Sequence, residues 1–267
     1  MTKSELSPVL CIPHGGGPLP LLGDPWHKNM VDFLQNITPR LGQPKAILII
    51  SAHWEEENAT VTSAAHPQLV YDYSGFPSES YEITYPAPGD PLLAEKIFNL
   101  LQKHRIDARM DDQRGFDHGM FVPLKIMYPG AIIPCVQLSL VKGLDPELHM
   151  QIGQALSSLR QENVLVLGSG FSFHNMRAFF SPSSDGSDTK NDAFQVWLTE
   201  TCTNTTLSPA ERNSRLIHWT EAPFARYCHP REEHLIPLHL CAALANTPAE
   251  LVFDRAILGK NACAFLW

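Results

Sequence analysis

Residues 46–55 read "AILIISAHWE". The first five positions are apolar without a break, four of them aliphatic and three of those isoleucine, and the run then gives way to Ser51, His53 and Glu55. A strand with one face in water alternates apolar and polar residues, whereas an uninterrupted run suits a strand covered on both faces. Three other stretches share this character: residues 9–12, residues 132–138 with an interruption at Pro134, and residues 164–167 ("VLVL"). Between them lie segments with helical spacing. Residues 90–104 ("DPLLAEKIFNLLQKH") carry Leu92, Leu93, Ile97, Leu100 and Leu101 on one stripe after an Asp-Pro start, and residues 145–161 repeat that start. A last helix is expected over 231–245, bent by Pro237 or losing its first turn there. The terminal "NACAFLW" (261–267) reads as an edge strand. Alternating strands and helices predict an α/β fold. We expect a single domain over residues 1–267, with a central, mixed but largely parallel sheet and helices on both faces. The Gly/Ser/Asp-rich stretch at 181–192 reads as a surface loop.

Bulk properties narrow the function classes. The 267 residues are 44% hydrophobic and 18% charged, the balance of a soluble, core-forming chain. A net charge of -8 with no Lys/Arg-rich run argues against nucleic acid or an anionic membrane as partner. The opening "MTKSELSPVL" lacks the apolar core of a signal peptide, and no apolar run is long enough to span a bilayer. Six scattered cysteines without a CxxC pair read as small buried hydrophobes in a reducing compartment. The expectation is a cytoplasmic protein, a monomer or small homo-oligomer, acting on a small molecule.

Histidines carry the chemistry. His14 follows the first strand in "PHGGGP", His53 follows "AILIIS", and His174 follows "VLVL" after a glycine turn. In open α/β sheets the carboxyl edge of the strands is where ligands and metals are held. His118 is expected in a loop ahead of an apolar segment ("GFDHGMFVPL"). His234 is expected on the last helix beside Glu233, where neighbours point about 100° apart and only one can face a site. Any one of these could be a half-buried imidazole bonded to backbone. Five at glycine- or proline-rich breaks, three of them at strand ends, point instead to a metal site, since imidazole is a common ligand for zinc and iron. His229 in "CHP" is a spare candidate, whereas His27, His66, His104, His149, His218 and His239 carry no distinctive local chemistry. Glycines 15–17 are not followed by the Gly-Lys-Ser/Thr of a phosphate loop, "GSGFSF" lacks the third glycine of a dinucleotide fingerprint, and Ser169 with His174 is a weak hydrolytic pair.

Taken in order, "PHGGGP", "SAHWE", "YPAPGDP", "GFDHGMFVPL", "IPCVQLSL", "FHN" and "EHLIPL" resemble the class III extradiol ring-cleavage dioxygenases. The match is to the DOPA extradiol dioxygenase group, related to the protocatechuate-type catalytic subunits, and runs from about residue 8 to the C-terminus. The resemblance implies a non-haem Fe(II) enzyme that opens a catechol-type ring with O₂. It makes His14, His53 and His234 the metal ligands, with Glu233 a fallback third ligand as in the protocatechuate-type relatives. His174 matches an acid/base or additional ligand, and His118 a proton donor or substrate-binding group. Asp117 is expected either to orient His118 or to cap its loop. Glycines 15–17 would let substrate approach the metal, and the aromatics of "YDYSGFP" (71–77) either wall the pocket or pack in the core. Many relatives have "SHGSP" where this chain has "PHGGGP", a departure that reshapes the pocket. Two other readings keep the site: a zinc hydrolase, and a metal-binding protein without activity. Zn²⁺ can occupy such a site in the isolated protein, because imidazole suits both metals.

Overall fold

The continuous apolar runs become the middle of one sheet. The computed structural model describes residues 6–180 and 188–267. Its strands are β1 (Val9–Pro13), β2 (Ala46–Glu56), β3 (Ala59–Thr62), β4 (Ala108–Asp111), β5 (Cys135–Val141), β6 (Val164–Gly170), β7 (Glu250–Ile257) and β8 (Lys260–Leu266). They lie in the order β4-β3-β5-β2-β6-β1-β8-β7. The four central strands β5, β2, β6 and β1 are mutually parallel. Antiparallel pairings join β3 to β5, β8 to β1 and β7 to β8.

Helices cover both faces, which is why the central strands need no polar alternation. Those described are α1 (Lys28–Leu41), α2 (Pro91–Lys103), α3 (His118–Met127), α4 (Pro146–Ala155), α5 (Met176–Phe179), α6 (Thr189–Thr203), α7 (Pro209–Ile217), α8 (Ala225–Cys228) and α9 (Ile236–Ala245). Ile47, Ile49, Leu165 and Leu167 point into one core with α1, α3 and α6, while Leu48, Ile50, Val164 and Val166 point into the other with α2 and α4. Each such side chain, fully buried, contributes roughly 1.5–3 kcal/mol of transfer free energy. The Asp-Pro signals act as read: Asp90 accepts from the Leu93 N–H at 3.0 Å and Asp145 from the Glu147 N–H at 2.9 Å, with proline in the first turn of α2 and α4. Every residue of α9 is buried, as expected of a helix apolar all round.

Some boundaries differ from the sequence reading. β5 begins at Cys135, and Ile132 is 82% exposed, because Pro134 cannot donate to the ladder. The segment 145–161 is one helix to Ala155 and then a 3₁₀ turn at Ser157–Gln161. Residues 231–235 form turns and α9 starts at Ile236, with Pro237 in its first turn, so the first turn is indeed split off. The C-terminal strand is not at the edge, because β7 pairs outside it. β7 has one face in water and six exposed or partly exposed residues among its eight, three of them charged, which hid it from a search for apolar runs. Of the expected loop at 181–192, residues 181–187 lie outside the described residues. Asp188 accepts from the Asn191 N–H at 3.0 Å and caps α6, so the polar residues 189–192 are a helix start. The cysteines are free thiols, all buried but the half-buried Cys11. No helix among the described residues is long and apolar enough to cross a membrane.

Two buried histidines tie this fold to pH. His239 of α9 places Nε2 2.8 Å from the Leu216 carbonyl, and His229 places Nε2 2.9 Å from the Ser172 carbonyl. Burial lowers the first to about 4 and the second to about 3, from an ordinary 6.5. The unfolded chain therefore binds protons that the folded chain refuses. Their stability is fully present above pH 6.5 and falls as pH drops below it toward the folded values. Denaturant unfolding of the metal-stripped protein should lose roughly 2–3 kcal/mol from these two groups between about pH 7.5 and 5.5. His239→Gln should flatten that slope, and a level profile in the parent protein would contradict neutral burial.

A candidate metal centre at the carboxyl edge of the sheet

His14 stands one residue beyond β1, and its N–H extends the ladder to the Gly170 carbonyl at 3.2 Å. Its Nδ1 lies 3.0 Å from Ser169 Oγ on the neighbouring β6. Ser169 spends its own proton on the Gly119 carbonyl, so it must accept from His14 Nδ1–H. Nε2 of His14 is thereby left with a free lone pair. His53 lies inside β2, which runs on to Glu56 instead of ending at Ser51. It sits where the pairing with β5 slips between Ile50 and Glu55, an irregularity of the kind that re-aims side chains next to sites. His53 Nε2 is 2.9 Å from His14 Nε2. His234 occupies the turn ahead of α9, with Nδ1 2.9 Å from Glu233 Oε1. One nitrogen from each of His14, His53 and His234 lies within 4.8 Å of the others.

Two glycines set the placement of these histidines. The Phe171 N–H donates to the His234 carbonyl at 2.9 Å, and a Cβ on Gly170 would stand 2.2 Å from that carbonyl oxygen. Only glycine lets the turn that carries His234 lie so close to β6. Behind His14, Gly15 adopts φ +85° and packs against Pro20 and His27. The glycines at 15–17 thus form a left-handed turn as well as lining a cavity. His27 is fully buried and takes a hydrogen bond from the Gly16 N–H on Nε2 at 3.0 Å. It braces the loop behind His14, a role with no local sign in the sequence.

His118 and His174 flank the three. His118 is not in a loop but is the first residue of α3. Its ring and backbone N–H both bond Asp72 Oδ1, at 2.9 and 3.0 Å, and the other oxygen of Asp72 lies 3.6 Å from His53 Nδ1. Asp117 plays neither expected part. It makes no side-chain cap and does not touch His118, but accepts from Ser51 Oγ at 2.7 Å and from Gln137, pinning the start of α3 to β2 and β5. His174 Nδ1 is 3.0 Å from Glu233 Oε1, the same oxygen that His234 meets. Glu233 and His234 therefore both serve the site, because they stand in a turn where the helical 100° rule does not apply. The His174 and His234 rings stack with centroids 3.4 Å apart and planes 16° apart. Ser169 has no contact to His174, and His229 stands outside the cluster. Asp72, absent from the sequence reading except within an aromatic stretch, is the main omission.

Burial, reinforced by the neighbouring imidazoles, pushes His14, His53 and His234 below the ordinary histidine range. All three are neutral donors at neutral pH. Burial, the largest single influence, would raise Asp72 and Glu233. Hydrogen bonds and charge attraction from His118 and His53 on the one, and from His174 and Arg231 on the other, together outweigh it and keep both below their usual values, hence ionised. Asp117 is raised by burial and by the charge of Asp72. The donor set suits a divalent ion: converging neutral nitrogens, with the rear nitrogens of His14 and His234 bonded to Ser169 and Glu233 and the Asp72 carboxylate beside that of His53. The 2.9 Å between His14 and His53 nitrogens is about the spacing of adjacent donors on one ion with bonds of roughly 2.0–2.1 Å. Above this floor opens a cavity of about 600 Å³, lined by all five histidines and walled by apolar side chains.

Comparison with known proteins accords with this geometry. The family described as the catalytic LigB subunit of aromatic ring-opening dioxygenase matches residues 8–257. A dioxygenase, tasH, of Hapsidospora irregularis is 37% identical over all of this chain and 87% of its own length. A 4,5-DOPA dioxygenase extradiol of Beta vulgaris is 37% identical over 99% of this chain and 98% of its own. A crystal structure of an uncharacterised Escherichia coli K12 protein superposes with a TM-score of 0.76 at 25% identity, covering 97% of this chain and 99% of that one.

The carboxylates behind the histidines give the test of this arrangement. Asp72→Asn and Glu233→Gln should each weaken divalent-metal retention by roughly ten- to a hundredfold in chelator competition, with the circular dichroism spectrum unchanged. Unaltered affinity in both would remove their role in setting the ligands.

Proposed function

The chain belongs to the LigB family of aromatic ring-opening dioxygenases and is an extradiol dioxygenase; from that premise we propose that it opens a DOPA-like or related catechol or aminophenol with O₂ at an Fe(II) held by His14, His53 and His234. The observation that carries this reading is the convergence of three neutral imidazoles on the floor of a cavity, with two further histidines beside them, each backed by a carboxylate. Three ligands on one face suit the open non-haem iron sites, which leave positions for substrate and O₂ together. When bound, the metal supplies a Lewis-acidic centre that binds the diol and brings O₂ beside it.

The chain's own residues handle the protons. A catechol must lose protons to bind through both oxygens, and imidazole is the side chain that can take them near neutral pH. With Nδ1 of His174 on Glu233, Nε2 is the nitrogen left to face the cavity, and the carboxylate stabilises the imidazolium once the proton arrives. His118 has the same construction with Asp72 and can return a proton to a developing product oxygen. The stacking of His174 on His234 supports an acid/base role over a ligand role. Lone pairs lie in the ring planes, and two stacked, nearly parallel rings with centroids 3.4 Å apart do not aim them at one ion. The reaction balances without a reductant: the ring C–C bond beside the diol breaks, and both atoms of O₂ enter the product.

Apoprotein loaded anaerobically with Fe(II) should take up one O₂ per catechol and form a yellow ring-opened product, whereas the Zn²⁺-loaded protein should consume none. Absence of uptake across a panel of catechols and aminophenols would overturn the reading, and hydrolysis by the zinc form would replace it. His174→Gln should keep its metal but lose roughly a hundred- to ten-thousandfold in kcat; a loss of metal instead would make His174 a ligand.

A further inference from the structure

The walls of the cavity contain no Lys, Arg, Asp or Glu among the described residues. Residues 181–187, outside the described part, contain no Lys or Arg in their sequence. Apart from the five histidines, the lining is glycine, leucine, methionine and aromatic. Tyr73 is the one hydroxyl there, and it already donates to the Ser80 carbonyl at 2.6 Å. The Gly16 N–H is likewise taken, by His27. Two arginines come near the site but stand outside the wall. Arg114 lies against Asp117, and Arg231 binds both oxygens of Glu55 at 2.6 Å and reaches Glu233 at 3.5 Å. The fixed charges behind the floor, Asp72 and Glu233, are negative. A substrate carboxylate placed here would lose its water and meet no Lys or Arg side chain among the described residues, an arrangement that costs binding.

Size argues alongside charge. About 600 Å³ falls within the roughly 300–1,000 Å³ of sites that enclose drug-sized ligands, well beyond one catechol ring. The mouth continues the apolar surface, with Trp26 65% and Met176 53% exposed beside it. Large apolar side chains left in water around a cavity mark a binding mouth.

Resting on the ring-opening reading, and narrowing its substrate range away from the DOPA-like catechols, we infer that the substrate is a catechol carrying an uncharged, apolar substituent several carbons long, and not one carrying a carboxylate or an amino-acid side chain. The diol meets the histidine floor, and the substituent runs along the wall toward Trp26 and Met176.

The Fe(II)-loaded protein is assayed with catechol, 4-methyl- to 4-butylcatechol, DOPA and 3,4-dihydroxybenzoate. kcat/KM should rise roughly three- to fourfold per added methylene and exceed that of both charged catechols by more than tenfold. Isothermal titration of the zinc-loaded protein, which does not turn over, should rank binding in the same order. Met176→Arg, which places a cation at the exposed rim, should narrow the gap between 4-butylcatechol and 3,4-dihydroxybenzoate. Charged catechols used as well as butylcatechol would overturn the inference while leaving the ring-opening reading intact, as would an unchanged gap in Met176→Arg. No turnover of any catechol would mean that the ring-opening reading itself had failed.

Discussion

His14, His53 and His234 each keep the rear ring nitrogen beside a fixed polar partner, and the arrangement of the rest of the site depends on that. Ser169 holds His14, Asp72 lies against His53, and Glu233 holds His234. An imidazole bonded through Nδ1 can offer only Nε2 forward, so the contacts to Ser169 and Glu233 choose the tautomer and the direction of the lone pair for His14 and His234. The same two carboxylates also bind the two flanking histidines, Asp72 through His118 and Glu233 through His174. A single pair of acids thereby couples His53 to His118 and His234 to His174. Moving either carboxylate disturbs two histidines at once.

The surroundings keep His14, His53 and His234 uncharged. These three imidazoles, crowded together, would repel strongly if protonated, and burial makes the charged forms costlier still. The outcome is a set of neutral nitrogen donors above two ionised acids, a charge pattern ready for a cation. His229 and His239 obey the same burial rule away from the site, so acid weakens the scaffold as well as the donors.

Much of the fold was legible because its signals are local. Consecutive apolar residues at β1, β2 and β6 marked strands buried on both faces, and Asp-Pro marked two helix starts. His14, His53 and His174 could be placed at one edge from strand direction alone. The partners of the histidines were not legible, because their contacts are distant in sequence: Ser169 lies 155 residues from His14, and Asp72 lies 46 from His118. Such pairs leave no periodic trace. Asp117 attracted attention by standing next to His118, yet the neighbour in space is Asp72. Likewise β7, half in water and rich in charge, offered no apolar run to find.

The close seating of the His234 turn on β6 at Gly170 has a consequence for how such a molecule can diversify. The reactive floor is built from strand ends and from a turn locked to a buried helix, with no slack at the contact between backbone and backbone. The wall comes from separate connecting segments: the stretch around Tyr73 and Phe76, the approach to α5, and the β7–β8 turn at Leu258. Such segments tolerate substitution and changes of length far better than close-packed backbone does. Substitutions and length changes in the connecting segments can therefore reshape the wall while the histidine floor stays in place.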